Sequence, residues 1–131
     1  MKLNKKNFFL FVIAFITTST IYADQIEKGK LLFQTKACFT CHQINKDIPA
    51  PAGLAIKAPS FIGKFWGTER KVNVGFGGPI KKVVMNEEYF MESILNPMAK
   101  IVKDSIPAMA PLPTTKEERK ALAAFVKSLS K

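Results

Sequence analysis

Histidine occurs once in this 131-residue chain, tryptophan once and cysteine twice. A four-ligand zinc site is therefore excluded, because only Cys38, Cys41 and His42 could supply nitrogen or sulfur ligands of the usual kind. Two cysteines also cannot build the multi-bridge framework that holds small secreted folds together. Acidic residues are scarce, with 10 Asp and Glu against 20 Lys and Arg and a net charge of +10. The basic residues are scattered, as in Arg70-Lys71 and Lys81-Lys82, and no basic tract marks a nucleic-acid or anionic-lipid partner. The longest strongly apolar run, Phe8 to Ile16, becomes hydroxyl-rich at Thr17-Thr18-Ser19-Thr20. It falls well short of the roughly 20 residues that a spanning helix needs. There is neither an internal repeat nor a low-complexity tract, and the length suits one domain.

What is present begins with a leader pattern. Lys2, Lys5 and Lys6 precede that apolar run, and Ile21-Tyr22-Ala23 stands before Asp24. This is the pattern of a secretory signal peptide over residues 1–23, with 24–131 as the exported domain. The alternative is an uncleaved anchor. Removal of the three leader lysines leaves 17 basic residues against 10 acidic ones, a net charge of +7. A surface of that sign steers toward acidic partners.

Asp24 is the expected N-cap of a first helix reaching about Lys36, with Ile26, Gly29, Leu32 and Phe33 on one side. From Gln43 onward three prolines and five glycines before the Gly78-Pro79 turn argue for irregular chain, with a helical turn or two over Ser60–Trp66. Asn86 caps an expected helix over Glu87–Leu95, stopped by Asn96-Pro97. Ile101 to Pro113 reads as loop. Thr115-Lys116-Glu117-Glu118 is a capping box opening a last helix to about Leu129. The fold class expected is all-α, with loops too long to stand alone unless they wrap something.

Both cysteines and the lone histidine fall within Cys38-Phe39-Thr40-Cys41-His42. A thioredoxin-like pair would want a preceding strand, which the pattern does not show. A disulfide over so short a loop gives little entropic benefit. Cys-x-x-Cys-His is the recognised spacing for one covalent haem c. The thiols add to the vinyl groups, and a single helical turn carries His42 to the iron. With histidine exhausted, methionine is the candidate for a sixth ligand. Met109 lies in the proline-stiffened stretch Ile106-Pro107-Ala108-Met109-Ala110-Pro111 and is the first candidate; Met98, after Asn96-Pro97, is the second. Met85 and Met91 read as core filler.

These residues, with Gly29, Phe33 and Phe125 in the terminal helices, make the chain resemble a class I monohaem cytochrome c over essentially all of 24–131. Ala58-Pro59-Ser60-Phe61, Gly67-Thr68-Glu69-Arg70, Glu88 to Lys103 and Phe125-Val126-Lys127-Ser128-Leu129 are similar to the cytochrome c domain fused to subunit II of some bacterial terminal oxidases. Two features depart from that branch: no copper-binding domain accompanies the haem domain, and Ala110 separates Met109 from Pro111. The resemblance implies crossed terminal helices and a Pro59 carbonyl directed at His42. It also makes Trp66 and Arg70 the candidates for holding a haem propionate.

The function expected is periplasmic one-electron transfer with His42 and Met109 as axial ligands. The partners are redox proteins with acidic docking surfaces, possibly a terminal oxidase, meeting an exposed edge ringed by Lys36, Lys46 and Lys57. No nucleic acid is expected, and membrane contact only through a partner or an uncleaved signal. A peroxidase or ligand sensor would need an open iron and a distal acid–base residue, and no second histidine exists for that. A subunit role in a larger redox complex would use the same domain.

Overall fold

The computed structural model describes the backbone of residues 5–131 and the side chains from residue 20 onward. The leader residues Lys2, Lys5, Lys6 and Phe8–Ile16 thus fall outside the described side chains. Helix α1 spans Lys5–Thr35, so Asp24 lies inside a continuous helix and does not cap one. No glycine or proline interrupts residues 5–28, and the chain has no reason to break there. The 3₁₀ turn Cys38–Thr40 follows, then α2 (Pro51–Ile56), α3 (Glu87–Leu95) and α4 (Lys116–Leu129). Both expected caps are in place: Asn86 accepts from the Tyr89 N–H, and Thr115 and Glu118 form a reciprocal capping box.

The all-α expectation is corrected by a three-stranded antiparallel sheet of order β2-β1-β3. Its strands are β1 (Glu69–Val74), β2 (Ile80–Val84) and β3 (Lys100–Val102). Val72 pairs with Lys81 on one side and Val102 on the other. The glycines read as loop punctuation are the hairpin turn, with Gly75 at φ +75° and Gly77 at φ +70°. Such angles suit glycine and reverse the chain tightly. Charged side chains on the exposed strands hid the short period-two pattern. The helix α2 is masked for a related reason: Pro51 suggests a break in the sequence, yet it sits in the first turn, where proline is tolerated. The helical turn expected over Ser60–Trp66 is absent, and that stretch is bends and turns.

The terminal helices cross where Gly29 removes a side chain. A Cβ there would stand 2.0 Å from the Ala121 carbonyl oxygen and 2.7 Å from the Phe125 Cβ. One turn further on, the Phe33 and Phe125 rings meet edge to face at 5.5 Å. Phe61, Phe65, Val72, Met85, Phe90, Leu122 and Val126 continue this core. It closes α1 and α4 over one end of the domain and leaves the other side of α3 free to line a cavity. Among the described residues no helix is long and apolar enough to cross a membrane.

Candidate functional site

Ala37, in the left-handed region at φ 54°, ends the path of α1 and turns the chain into the Cys38–Thr40 turn. The His42 N–H then donates to the Cys38 carbonyl at 2.9 Å. One tight turn therefore sets Cys38, Cys41 and His42 along the same cavity wall. Both cysteines are free and half-buried. Burial pushes the Cys38 thiol up from its ordinary value, opposed by its own backbone hydrogen bond and by the Lys36 charge.

His42 is oriented from behind. Its Nδ1 lies 2.9 Å from the Pro59 carbonyl oxygen. A carbonyl only accepts, so Nδ1 carries the proton and Nε2 is the free donor pair. The imidazole also stacks on Phe61, 5.0 Å away and 19° from parallel. Burial holds its pKa below the usual value; the Pro59 hydrogen bond opposes this, and the Arg70 charge adds to it. The ring is thus neutral at neutral pH, the form a metal requires.

The cavity these residues face has a volume of ≈ 350 Å³. Phe90, Ile94, Ile101, Val102 and Leu112 make much of its lining apolar. Met109 and Met98 both line it, as does the fully buried Met85, while Met91 does not. Met109 is half-buried and packs against the core. Its loop is pinned at both ends, by Ile106 N–H to the Ile56 carbonyl at 2.8 Å and by Leu112 N–H to the Ile94 carbonyl at 3.1 Å. Met98 is 40% exposed.

Arg70 enters the cavity from β1 with its guanidinium carbon 5.9 Å from the Tyr89 ring centroid. None of the ion pairs among the described residues involves it. Trp66, the other propionate candidate, does not line the cavity and packs on Phe90 at 6.0 Å, the 61–66 segment running beneath α3. Of the three edge lysines, Lys36 lines the cavity but is tied to the Pro113 carbonyl and lies 4.0 Å from Glu118. Lys46 and Lys57 are exposed.

Gly53 is the functional position that the sequence did not reveal. A Cβ there would fall 1.8 Å from the Cys41 carbonyl oxygen, so α2 lies directly on the cysteine turn. A glycine in a six-residue helix between two prolines gives no periodic signal from which to find it.

The donor set fits covalent haem: two free thiols and a neutral imidazole on one turn, facing an apolar cavity with a methionine loop in its wall. Among the described residues no three His, Cys, Asp or Glu side chains cluster to hold a bare metal ion. No curated protein matches the chain. A model of cytochrome c matches residues 26–130, nearly the whole domain and every cavity residue described above, and the chain belongs to the cytochrome c family, which carries electrons on covalently held haem.

Proposed function

We propose that this protein is a periplasmic single-electron carrier with His42 and Met109 as axial ligands, delivering electrons to a terminal oxidase or another respiratory enzyme. The observation that carries the reading is the pairing of a pre-oriented His42 with a pinned Met109 loop on the walls of one apolar cavity. When bound, haem c supplies a one-electron iron couple. The chain's own residues hold and tune it. Cys38 and Cys41 tether one edge, and Pro59 fixes the imidazole so that Nε2 is presented. The loop anchored at Ile106 and Leu112 limits the freedom of Met109, which favours a weak thioether ligand. The apolar lining excludes water and favours the less charged reduced state. That Arg70 lines the cavity with no acidic partner among the described residues supports its assignment to a propionate.

The similarity of Glu88–Lys103 to the cytochrome c domain fused to some oxidases supports the choice of acceptor, and the net positive charge supports an acidic docking surface. The leader pattern of residues 1–23 supports export. The decisive experiment is spectroscopy on the purified protein and two variants. A low-spin spectrum in both redox states and a methionine–iron charge-transfer band in the oxidised form are expected. Met109→Ala should lose that band and Met98→Ala should keep it; the opposite result assigns Met98. A high-spin ferric form that binds azide freely would reject the electron-carrier reading.

A further inference from the structure

The hairpin joining β1 to β2 serves none of the roles above. Phe76 at its tip is 82% exposed, the most exposed large apolar side chain described, and Ile80 beside it is 53% exposed. Leaving these two neighbouring apolar groups in water is unfavourable, and covering them would be favourable. The tip is ordered. Val74 N–H donates to the Pro79 carbonyl at 3.0 Å, Asn73 Nδ2 to the Gly78 carbonyl at 3.2 Å, and Gly75 N–H to the Ala99 carbonyl at 3.0 Å. A Cβ on Gly75 or Gly77 would meet nothing within 4 Å, so both positions face open space in that direction.

Behind the tip the charge is of one sign. Residues 70–86 contain Arg70, Lys71, Lys81 and Lys82 and no acid. Lys82 is paired with Glu69, which leaves Lys71 and Lys81 as exposed cations of the hairpin stem. Lys81 stands opposite Val72, which is four residues from Phe76, so the pair lies within about 13 Å of the tip along the strand. An apolar group sunk roughly 5–10 Å into the headgroup–acyl boundary would put such a lysine at the phosphates.

We propose that the Phe76 hairpin is a membrane-contact device that inserts its tip into an anionic lipid surface, with Lys71 and Lys81 against the phosphates. This is independent of the electron-transfer reading and adds a route to the membrane besides a partner or the leader. Charge complementarity selects the occupant. Pairing of two copies along the free edge of β2 would bring Lys81 and Lys82 of both chains together, and like charges so placed repel. A projecting tip with open space at Gly75 and Gly77 suits a deformable lipid surface better than a shaped protein pocket. The Gly75–Ala99 bond places the hairpin base beside Met98 and Lys100 at the cavity wall, so insertion would hold the cavity close to the membrane plane.

The test uses the haem-loaded protein, carrying Pro79→Cys labelled with a nitroxide so that Phe76 is kept, on vesicles of phosphatidylglycerol and phosphatidylcholine and on phosphatidylcholine alone. The label should lie below the phosphate level on the mixed vesicles and stay in water on the neutral ones. In parallel, partitioning to mixed vesicles should fall about tenfold for Phe76→Ser and several-fold for Lys81→Gln, with unchanged thermal unfolding. The label reads the tip itself, so lipid binding by the leader cannot imitate the result. A label that stays aqueous on both vesicles overturns the proposal, as does unchanged partitioning in both variants. Protection of the label only by a second copy, or only by an acidic redox protein, likewise overturns it.

Discussion

The imidazole of His42 donates its Nδ1–H to the carbonyl oxygen of Pro59 across 2.9 Å. Seventeen residues of chain separate the two, and the bond fixes both the tautomer and the direction of Nε2. As the proposed axial ligand, an imidazole so bonded would be the stronger donor and would favour the oxidised metal. Pro59 is braced on either side, by Ala58 N–H to the Gly53 carbonyl and by Phe61 N–H to the Gln43 carbonyl, both 2.8 Å.

Substituting Pro59→Ala keeps the carbonyl but releases the φ restraint on it. The hydrogen bond should weaken without breaking, and the reduction potential should rise by a few tens of millivolts. That range is the equivalent of roughly 0.5–1 kcal/mol on a one-electron couple. Redox titration of the two proteins measures it. An unchanged potential would mean that the flanking backbone bonds alone hold the carbonyl in place.

Gly29→Ala tests the helix crossing. In an isolated helix the change is worth about 1 kcal/mol in favour of alanine. Here the new Cβ would meet Ala121 backbone atoms at 2.0 and 2.6 Å, and backbone cannot swing aside as a side chain can. The helices must separate, and overpacking of this kind costs about 1–3 kcal/mol or more. The chemical-denaturation midpoint should fall. A rise to the level expected from helix propensity would show that α1 and α4 do not meet at Gly29.

Ser130 gives a second stability test. Its Oγ accepts from the N–H groups of both Phe65 and Trp66 at 3.0 Å, tying the end of α4 to the loop beneath α3. Ser130→Ala leaves two partly buried donors without that partner, at a cost of about 1–2 kcal/mol. Ser130→Thr retains a hydroxyl and should recover most of the loss. If alanine and threonine behave alike in thermal unfolding, the hydroxyl is not what holds the loop.

The parts of this fold written in local chemistry are legible in the sequence. Asn86 with its following acids and the Thr115–Glu118 box locate α3 and α4, because caps satisfy helix ends from within a few residues. The Cys38–His42 turn is local in the same way. The sheet is not, since β1 and β3 pair across Val72 and Val102, thirty residues apart, and neither strand is apolar enough to announce itself. Trp66 shows the limit from the other side: a large aromatic near a cofactor loop can face the core or the cavity, and only the packing of Phe90 decides. The depth of Gly53 against Cys41 was equally hidden, being a property of how α2 docks.

That contact yields the last prediction. Any side chain at Gly53 would collide with the Cys41 carbonyl oxygen at 1.8 Å and the carbonyl carbon at 2.7 Å. The Cys41 carbonyl belongs to the turn that aligns both thiols with His42, so the displacement would fall on the attachment residues themselves. Gly53→Ala should therefore reduce the fraction of chains that carry covalent haem, and Gly53→Val should reduce it further. Both should do so more than Gly63→Ala, where a Cβ meets nothing within 4 Å although φ is +71°. Intact mass under denaturing conditions counts the attached fraction directly. Equal attachment in the Gly53 and Gly63 variants would mean that α2 is not seated on the cysteine turn when the haem is attached.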